Sequence, residues 1–303
     1  MARVCAGRLL RGAYLRAAGC ALLWAASGCA PARFGAPAEA RAALQRINDN
    51  FAAVGGVLYG SPAVVSCRFR DEAGVERRFL NQSAVLLFGQ PRCLRFEIRS
   101  LAGTVAHIGA NDERYWVWVD VPERRKLWWG TWAALEAGAA RRFSIPPDEL
   151  LQALLLAPIA EHSSVHLPPL LMIDAAGRWL LFQAYDDAGW PYVRRVMRLD
   201  PCPPNLPAEI TDYAADGGVV MRADLRSYRR VSNGGPAAPF VARRYVVAWP
   251  RDGAELRLDL EDVRYWSKDL PFCGFPETWD GELERLDQTP PVGYAPENGP
   301  VRS

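Results

Sequence analysis

The chain has 303 residues, half of them apolar, with 36 Lys and Arg against 34 Asp and Glu and a formal net charge of +2. That balance excludes an electrostatic footprint for nucleic acid, which needs a basic face, and no Lys/Arg run punctuated by stacking aromatics occurs. The length is enough for one large hydrophobic core.

Arg3, Arg8, Arg11 and Arg16 precede the apolar run 17–26, and no acidic residue occurs before Glu39. A basic flank, a short apolar run and small residues at its end are the layout of a signal peptide. The run is far shorter than the roughly 20 residues that cross a bilayer as a helix. Ala26-Ser27-Gly28-Cys29 resembles a bacterial lipobox. The resemblance implies a signal peptide over 1–28 and acylation of Cys29, with palmitate-type chains anchoring the protein to a membrane. Cys20, behind Ala17-Ala18-Gly19, is a competing site that would leave Leu22-Leu23-Trp24 in the mature chain. Cleavage before Cys29 removes four arginines and no carboxylate, which turns the net charge from +2 to −2. Ala30 stands where an aspartate would favour inner-membrane retention, so the resemblance implies an outer-membrane lipoprotein facing the periplasm.

The stretch 29–38 is an Ala/Pro-rich tether, and 38–54 reads as a helix because Ala43, Leu44, Ile47, Phe51 and Val54 recur at helical spacing. Short runs rich in β-branched and aromatic residues follow at 63–70, 77–88, 93–100, 103–108, 115–119 and 126–130, with turn signals between them. Ser144-Ile145-Pro146-Pro147-Asp148-Glu149 then opens a helix that carries Leu150, Leu151, Leu154 and Leu155 and stops at Pro158. A second group of strands is expected at 170–174, 179–185, 192–200, 209–213, 219–225, 240–249 and 256–265. The Pro/Gly-rich end, 278–303, reads as a flexible tail. Strands at this density predict a mainly β fold, a curved antiparallel sheet or open barrel, over 39–277.

Beyond Cys29, four cysteines remain for an exported domain: Cys67, Cys93, Cys202 and Cys273. None forms a C-x-x-C pair. Cys202 and Cys273 lie outside the expected strands, which makes them the preferred disulfide; four buried thiols are the alternative.

The order of parts resembles the LolA/LolB-like lipoprotein-carrier superfamily: lipobox, helix, meander, Pro-flanked leucine helix and second meander. The local phrases that carry the resemblance are the strand 94–103, the aromatic strand Arg114-Tyr115-Trp116-Val117-Trp118-Val119, and Pro207-Ala208-Glu209-Ile210-Thr211-Asp212-Tyr213 with Gly217-Gly218. The resemblance implies a half-open β-barrel with a short helical lid, enclosing an apolar cavity that receives the acyl chains of a lipid or a lipidated protein. Leu150, Leu151, Leu154 and Leu155 would then face Trp116 and Trp118 across bound acyl chains. The competing reading is a lipid-anchored scaffold with a filled core that exposes Trp128, Trp129 and Trp132 to a protein or glycan.

Enzymatic signals are weak, and neither a cofactor nor a metal is implied. His162 and His166 have ligand spacing, but Ser163-Ser164 and Leu167-Pro168-Pro169 point to a loop. No glycine elbow surrounds Ser163 or Ser164. His107 falls within a strand as a structural residue, and Asp186-Asp187 sits in a turn.

Overall fold

A computed structural model describes residues 32–70, 75–101, 103–121, 124–137, 145–160, 167–266, 273–276 and 279–287. Cys29, His162, Ser163, Ser164 and His166 lie outside the described residues.

The chain begins with β1 (Arg33–Phe34) and α1 (Pro37–Ala52). A first meander follows: β2 (Leu58–Arg70), β3 (Glu76–Gly89), β4 (Cys93–Ser100), β5 (Gly103–Ala110), β6 (Arg114–Val121) and β7 (Arg124–Thr131). Two short helices, α2 (Trp132–Glu136) and α3 (Pro147–Ala153), lead into β8 (Leu170–Asp174), β9 (Gly177–Tyr185), β10 (Pro191–Leu199), β11 (Pro207–Tyr213) and β12 (Val219–Arg226). β13 (Arg229–Arg230) and β14 (Phe240–Val241) form a separate ribbon. β15 (Arg244–Trp249), β16 (Ala254–Leu260), β17 (Val263–Tyr265) and β18 (Glu282–Arg285) complete the described chain.

One curved, open sheet holds every described strand except the ribbon. The second meander joins the first where β16 pairs antiparallel with β2, from Glu255 opposite Arg68 to Leu260 opposite Ala63. The sheet ends on two short strands, β1 against β8 and β18 parallel to β7. Short edge strands leave few unpaired backbone groups to template association. A mainly β fold with an open curved sheet therefore agrees with the alternation in the sequence.

That alternation also decides the faces. In β16, Ala254, Leu256, Leu258 and Leu260 are buried while Arg257 and Asp259 are exposed. The buried rows of both meanders meet α1 and α3 on one side, here the inner face, in a single core that includes Leu44, Phe96, Tyr115, Leu150, Met197 and Trp249. Helix α1 lies against β8 and β9 and buries Ala40, Ala43, Leu44 and Ile47, the positions that helical spacing places on one stripe. Its entry is fixed by Pro37 in the first turn and by Glu39, whose carboxylate accepts the Ala36 N–H at 3.1 Å.

Three expectations change. The tether 29–38 and the tail 278–303 contain β1 and β18, so the fold reaches from Arg33 to at least Asp287. The runs 240–249 and 256–265 each break into two strands, β14 with β15 and β16 with β17. The disulfide joins Cys93 to Cys273, with Cα atoms 5.5 Å apart, and not Cys202 to Cys273. The chain beyond β17 returns to the start of β4, so Cys273 meets Cys93, while Cys202 is exposed and free in the β10–β11 connection. Cys67 is also free, and burial pushes its thiol up to about 12.

Candidate functional site

Pro146 caps α3 in an extended conformation and Pro147 starts it, where a missing N–H costs nothing. Asp148 and Glu149 occupy the first turn, the end of the helix that favours negative charge. The turn after the helix is tight: Leu155 adopts φ +56°, and the Leu156 N–H donates to the Leu151 carbonyl at 2.8 Å. This left-handed position usually takes glycine, so Leu155 carries local strain. Leu150, Leu151 and Leu154 are 0, 3 and 3 % exposed, and Leu155 is half-buried against the same core. α3 lies against β5 and β12 and so bridges the two meanders.

Few polar contacts hold this cover. The Trp249 indole N–H, from β15, donates to the buried Glu149 carboxylate at 2.8 Å. Arg195, from β10, donates to both Asp212 oxygens, at 2.5 and 2.6 Å, and also to Gln152 of α3. A register shift between Val193 and Arg195 puts the guanidinium on the inner face, opposite Phe182 and Asp212. Burial opposes its charge, but Asp212 and then Glu149 outweigh that and raise the guanidinium above its ordinary value. Beyond the helix, Asn48 of α1 takes both backbone groups of Ile159, donating at 2.9 Å and accepting at 3.0 Å. Six side chains thus make polar contacts at or near the apolar cover.

The structure separates the sequence candidates. Leu150, Leu151, Leu154 and Leu155 do cover the inner face, but Trp116 and Trp118 do not lie beneath them. Trp116 pairs with Gly109 and Trp129, and Trp118 with His107 and Leu127, all in the row that points outward. The residues that share the core with α3 are Tyr115, Val117 and Val119. Both rows of β6 are apolar, so composition could not assign them. Two glycines make room: a Cβ on Gly109 would collide with the Trp116 indole, and one on Gly130 would stand 2.6 Å from the Tyr115 hydroxyl. Nor do the three tryptophans of the scaffold reading form an exposed set. Trp128 and Trp132 are 9 and 5 % exposed, and Trp129 is half-buried on the outer face.

On that outer face the C-terminal segment covers the aromatic row. Phe275 packs edge-on against Trp116, with ring centres 5.5 Å apart, and Trp279 lies 5.6 Å from Trp118. Arg114 and Arg285 place their guanidinium groups 5.2 and 4.8 Å from the Trp129 ring centre. His107 accepts the Trp118 indole N–H at Nδ1, at 2.7 Å, and burial drives its imidazole down to about 4, opposed by Glu97 and assisted by Arg95. It is therefore neutral at physiological pH. Glu97 is buried between Arg95 and Arg99; burial alone would raise its carboxyl, but hydrogen bonds from both arginines bring it below the usual value. This is a packed structural cluster.

A further groove of about 560 Å³ opens on the outer face between β2, β3 and β16, where Arg68, Arg78, Arg257, Glu255 and Asp259 line it together with Val64 and Leu80. Its charged walls do not suit an acyl chain. Among the described residues no group of three or more His, Cys, Asp or Glu side chains could hold a metal ion, and no helix is long and apolar enough to cross a membrane.

No protein-family model matches the chain, and no curated protein matches its sequence. Among solved structures, it is similar to a DUF1329 family protein from Desulfovibrio piger, at 14% identity over 77% of this chain and 96% of that chain, with a TM-score of 0.46. An outer membrane lipoprotein-sorting protein domain from Vibrio parahaemolyticus is 11% identical over 75% and 94% of the two chains, with a TM-score of 0.45. A LolA superfamily protein from Nitrosomonas europaea is 12% identical over 77% and 94%, with a TM-score of 0.42.

Proposed function

We propose that this protein is a bacterial envelope lipoprotein, acylated on Cys29 and held at the outer membrane, that binds an acyl chain of a lipid or a lipidated partner between α3 and the inner sheet face. It acts by binding, without catalysis. The observation that carries the reading is the construction of the cover. Three leucines of one short helix and its terminal turn pack on an apolar sheet face, and a few polar side chains of the same helix bind its rim. An apolar interior with a small number of placed polar groups is the usual make-up of a small-molecule site. Each CH₂ taken from water contributes roughly 0.8 kcal/mol, so admission of a chain of ordinary length can offset displacement of the leucines. The strained Leu155 turn supplies a place for the cover to pivot.

Titration of the delipidated protein with a fluorescent fatty acid tests this. Saturable binding is expected in the wild type and should fall at least about tenfold in Leu151→Asp, because a charge at the cover is poorly tolerated beside a hydrocarbon chain. Arg195→Met, which frees Gln152 but keeps side-chain volume, should change affinity as well, through the cover's equilibrium. A wild type with no saturable binding, together with a Leu154→Asp variant whose only defect is lost stability, would decide for a filled-core scaffold.

A further inference from the structure

The outer face changes character along the sheet. Over β12 and β16 it carries Arg222, Asp224, Arg257 and Asp259, a charged surface suited to water, in which Arg222 pairs with Glu209, Arg257 with Glu255 and Asp259 with Arg244. Over β8 and β9 the same row is Leu170, Met172, Trp179, Leu181, Gln183 and Tyr185, apolar but for the one glutamine, and it is extended by Phe34 on the neighbouring β1 and by Trp190 in the β9–β10 turn. Phe34, Tyr185 and Trp190 are 66, 42 and 72 % exposed. Exposed apolar residues that stand singly, as Leu80, Leu101 and Leu283 do elsewhere, need no explanation, but several of them along one edge of a sheet mark an interaction surface.

We propose that this face rests on the headgroup–acyl boundary of the membrane in which Cys29 is anchored; the inference rests on the acylation of Cys29 proposed above. The position of the anchor selects the bilayer as occupant. Cys29 lies five residues before Phe34, and five extended residues reach at most about 18 Å. An acylated N-terminus on so short a lead keeps the β1–β8 edge against the membrane. The chemistry of the face fits that place. Tryptophan and tyrosine, with an apolar body and a polar tip, concentrate at membrane interfaces, and such surfaces enter roughly 5–10 Å. Trp179 already directs its indole N–H to Asp174 at 3.1 Å, leaving its ring as the surface. At the tip, Asp186 accepts the backbone N–H groups of Ala188 and Trp190, and Asp187 is exposed; these two carboxylates hold the turn at headgroup level.

The test uses the full-length protein with vesicles of phosphatidylethanolamine and phosphatidylglycerol whose acyl chains are brominated near the headgroup or near the terminal methyl. Shallow bromines should quench tryptophan emission and deep ones should not. Trp190→Phe should lose most of that quenching, and the pair Phe34→Asp with Tyr185→Asp should weaken it with thermal unfolding unchanged. Normal palmitate labelling of Cys29 with equal emission in brominated and plain vesicles would overturn the membrane face and leave the anchor standing. So would cross-linking of Trp190→Cys between two copies on the vesicle, which would show a second chain as the occupant. Absent labelling with persistent shallow quenching would remove the anchor and keep the face; absence of both removes both.

Discussion

Two aromatic surfaces lie on the same outer side of this sheet and meet opposite fates. Over β5 to β7, Trp116 is fully buried and Trp118 and Trp129 half-buried, because the C-terminal segment returns across them with Phe275 and Trp279 and is tied down by Cys93–Cys273. Over β8 to β10, Trp190, Tyr185 and Phe34 lie open. Two-sided apolar strands therefore do not of themselves signal a cavity. One such region is a second, smaller core closed by its own chain, and the other is a surface awaiting a partner.

The largest effect expected in this comparison comes from cutting the tie. The disulfide closes a loop of 180 residues, for which the chain-entropy estimate is about 5 kcal/mol, so Cys273→Ser should lower denaturant stability by up to that amount. Its tryptophan emission should shift to the red as Trp116 and Trp118 gain water. A variant with wild-type stability and emission would mean the segment holds without its bond. A thiol count on the unreduced, denatured protein should detect Cys67 and Cys202 and miss Cys93 and Cys273.

Next, Trp116→Ala should cost about 3–5 kcal/mol, the range for emptying a buried aromatic site. Its loss would also strand Phe275 over a void above Gly109. A cost below 1 kcal/mol would show that the covered surface is not a core.

The pH response sharpens the contrast, since His107 belongs to the covered side. A histidine held down at about 4 in the fold stays neutral while the unfolded chain, with its ordinary value near 6.5, takes up a proton. Its contribution is complete above about pH 6.5 and is lost as the pH falls toward 4, on the order of 3 kcal/mol. His107→Gln should flatten the stability curve across that window. In Cys273→Ser the imidazole should titrate closer to its ordinary value, which NMR can follow because the chain has only three histidines. A steep curve that persists in His107→Gln would assign it to other groups. The smallest effect is expected on the open side, where Trp190→Ala should change stability by no more than about 0.5 kcal/mol.

How much of this the sequence reveals depends on which physical signal a residue leaves. The meanders were legible because one row of most strands is largely apolar, as in β4, β12 and β16, and α1 because Ala43, Leu44 and Ile47 fall on one stripe. The cover helix was legible from Pro146-Pro147 and its leucines. The face beneath it was not. Tyr115 and Trp116 are both aromatic neighbours, and only the cross-strand glycines, Gly109 and Gly130, tell which ring lies on which side. The polar rim left a trace in part: Arg195 stands in the same alternating row as Met197 and Leu199, a core position that a charged residue fills only with a partner. Its partner Asp212, the acceptor role of Glu149 toward Trp249, and the union of Cys93 with Cys273 depend on contacts across more than a dozen residues, where single-sequence periodicity carries no signal.

The central claim, that the inner face under α3 takes an acyl chain, is tested most directly by native mass spectrometry of the purified full-length protein. The account predicts a population carrying one noncovalently bound molecule with an acyl chain, released on activation, and its disappearance in a folded Leu151→Asp variant. A wild-type protein whose mass is explained by its polypeptide and covalent anchor alone, whether taken from membranes or incubated with lipid, would contradict it.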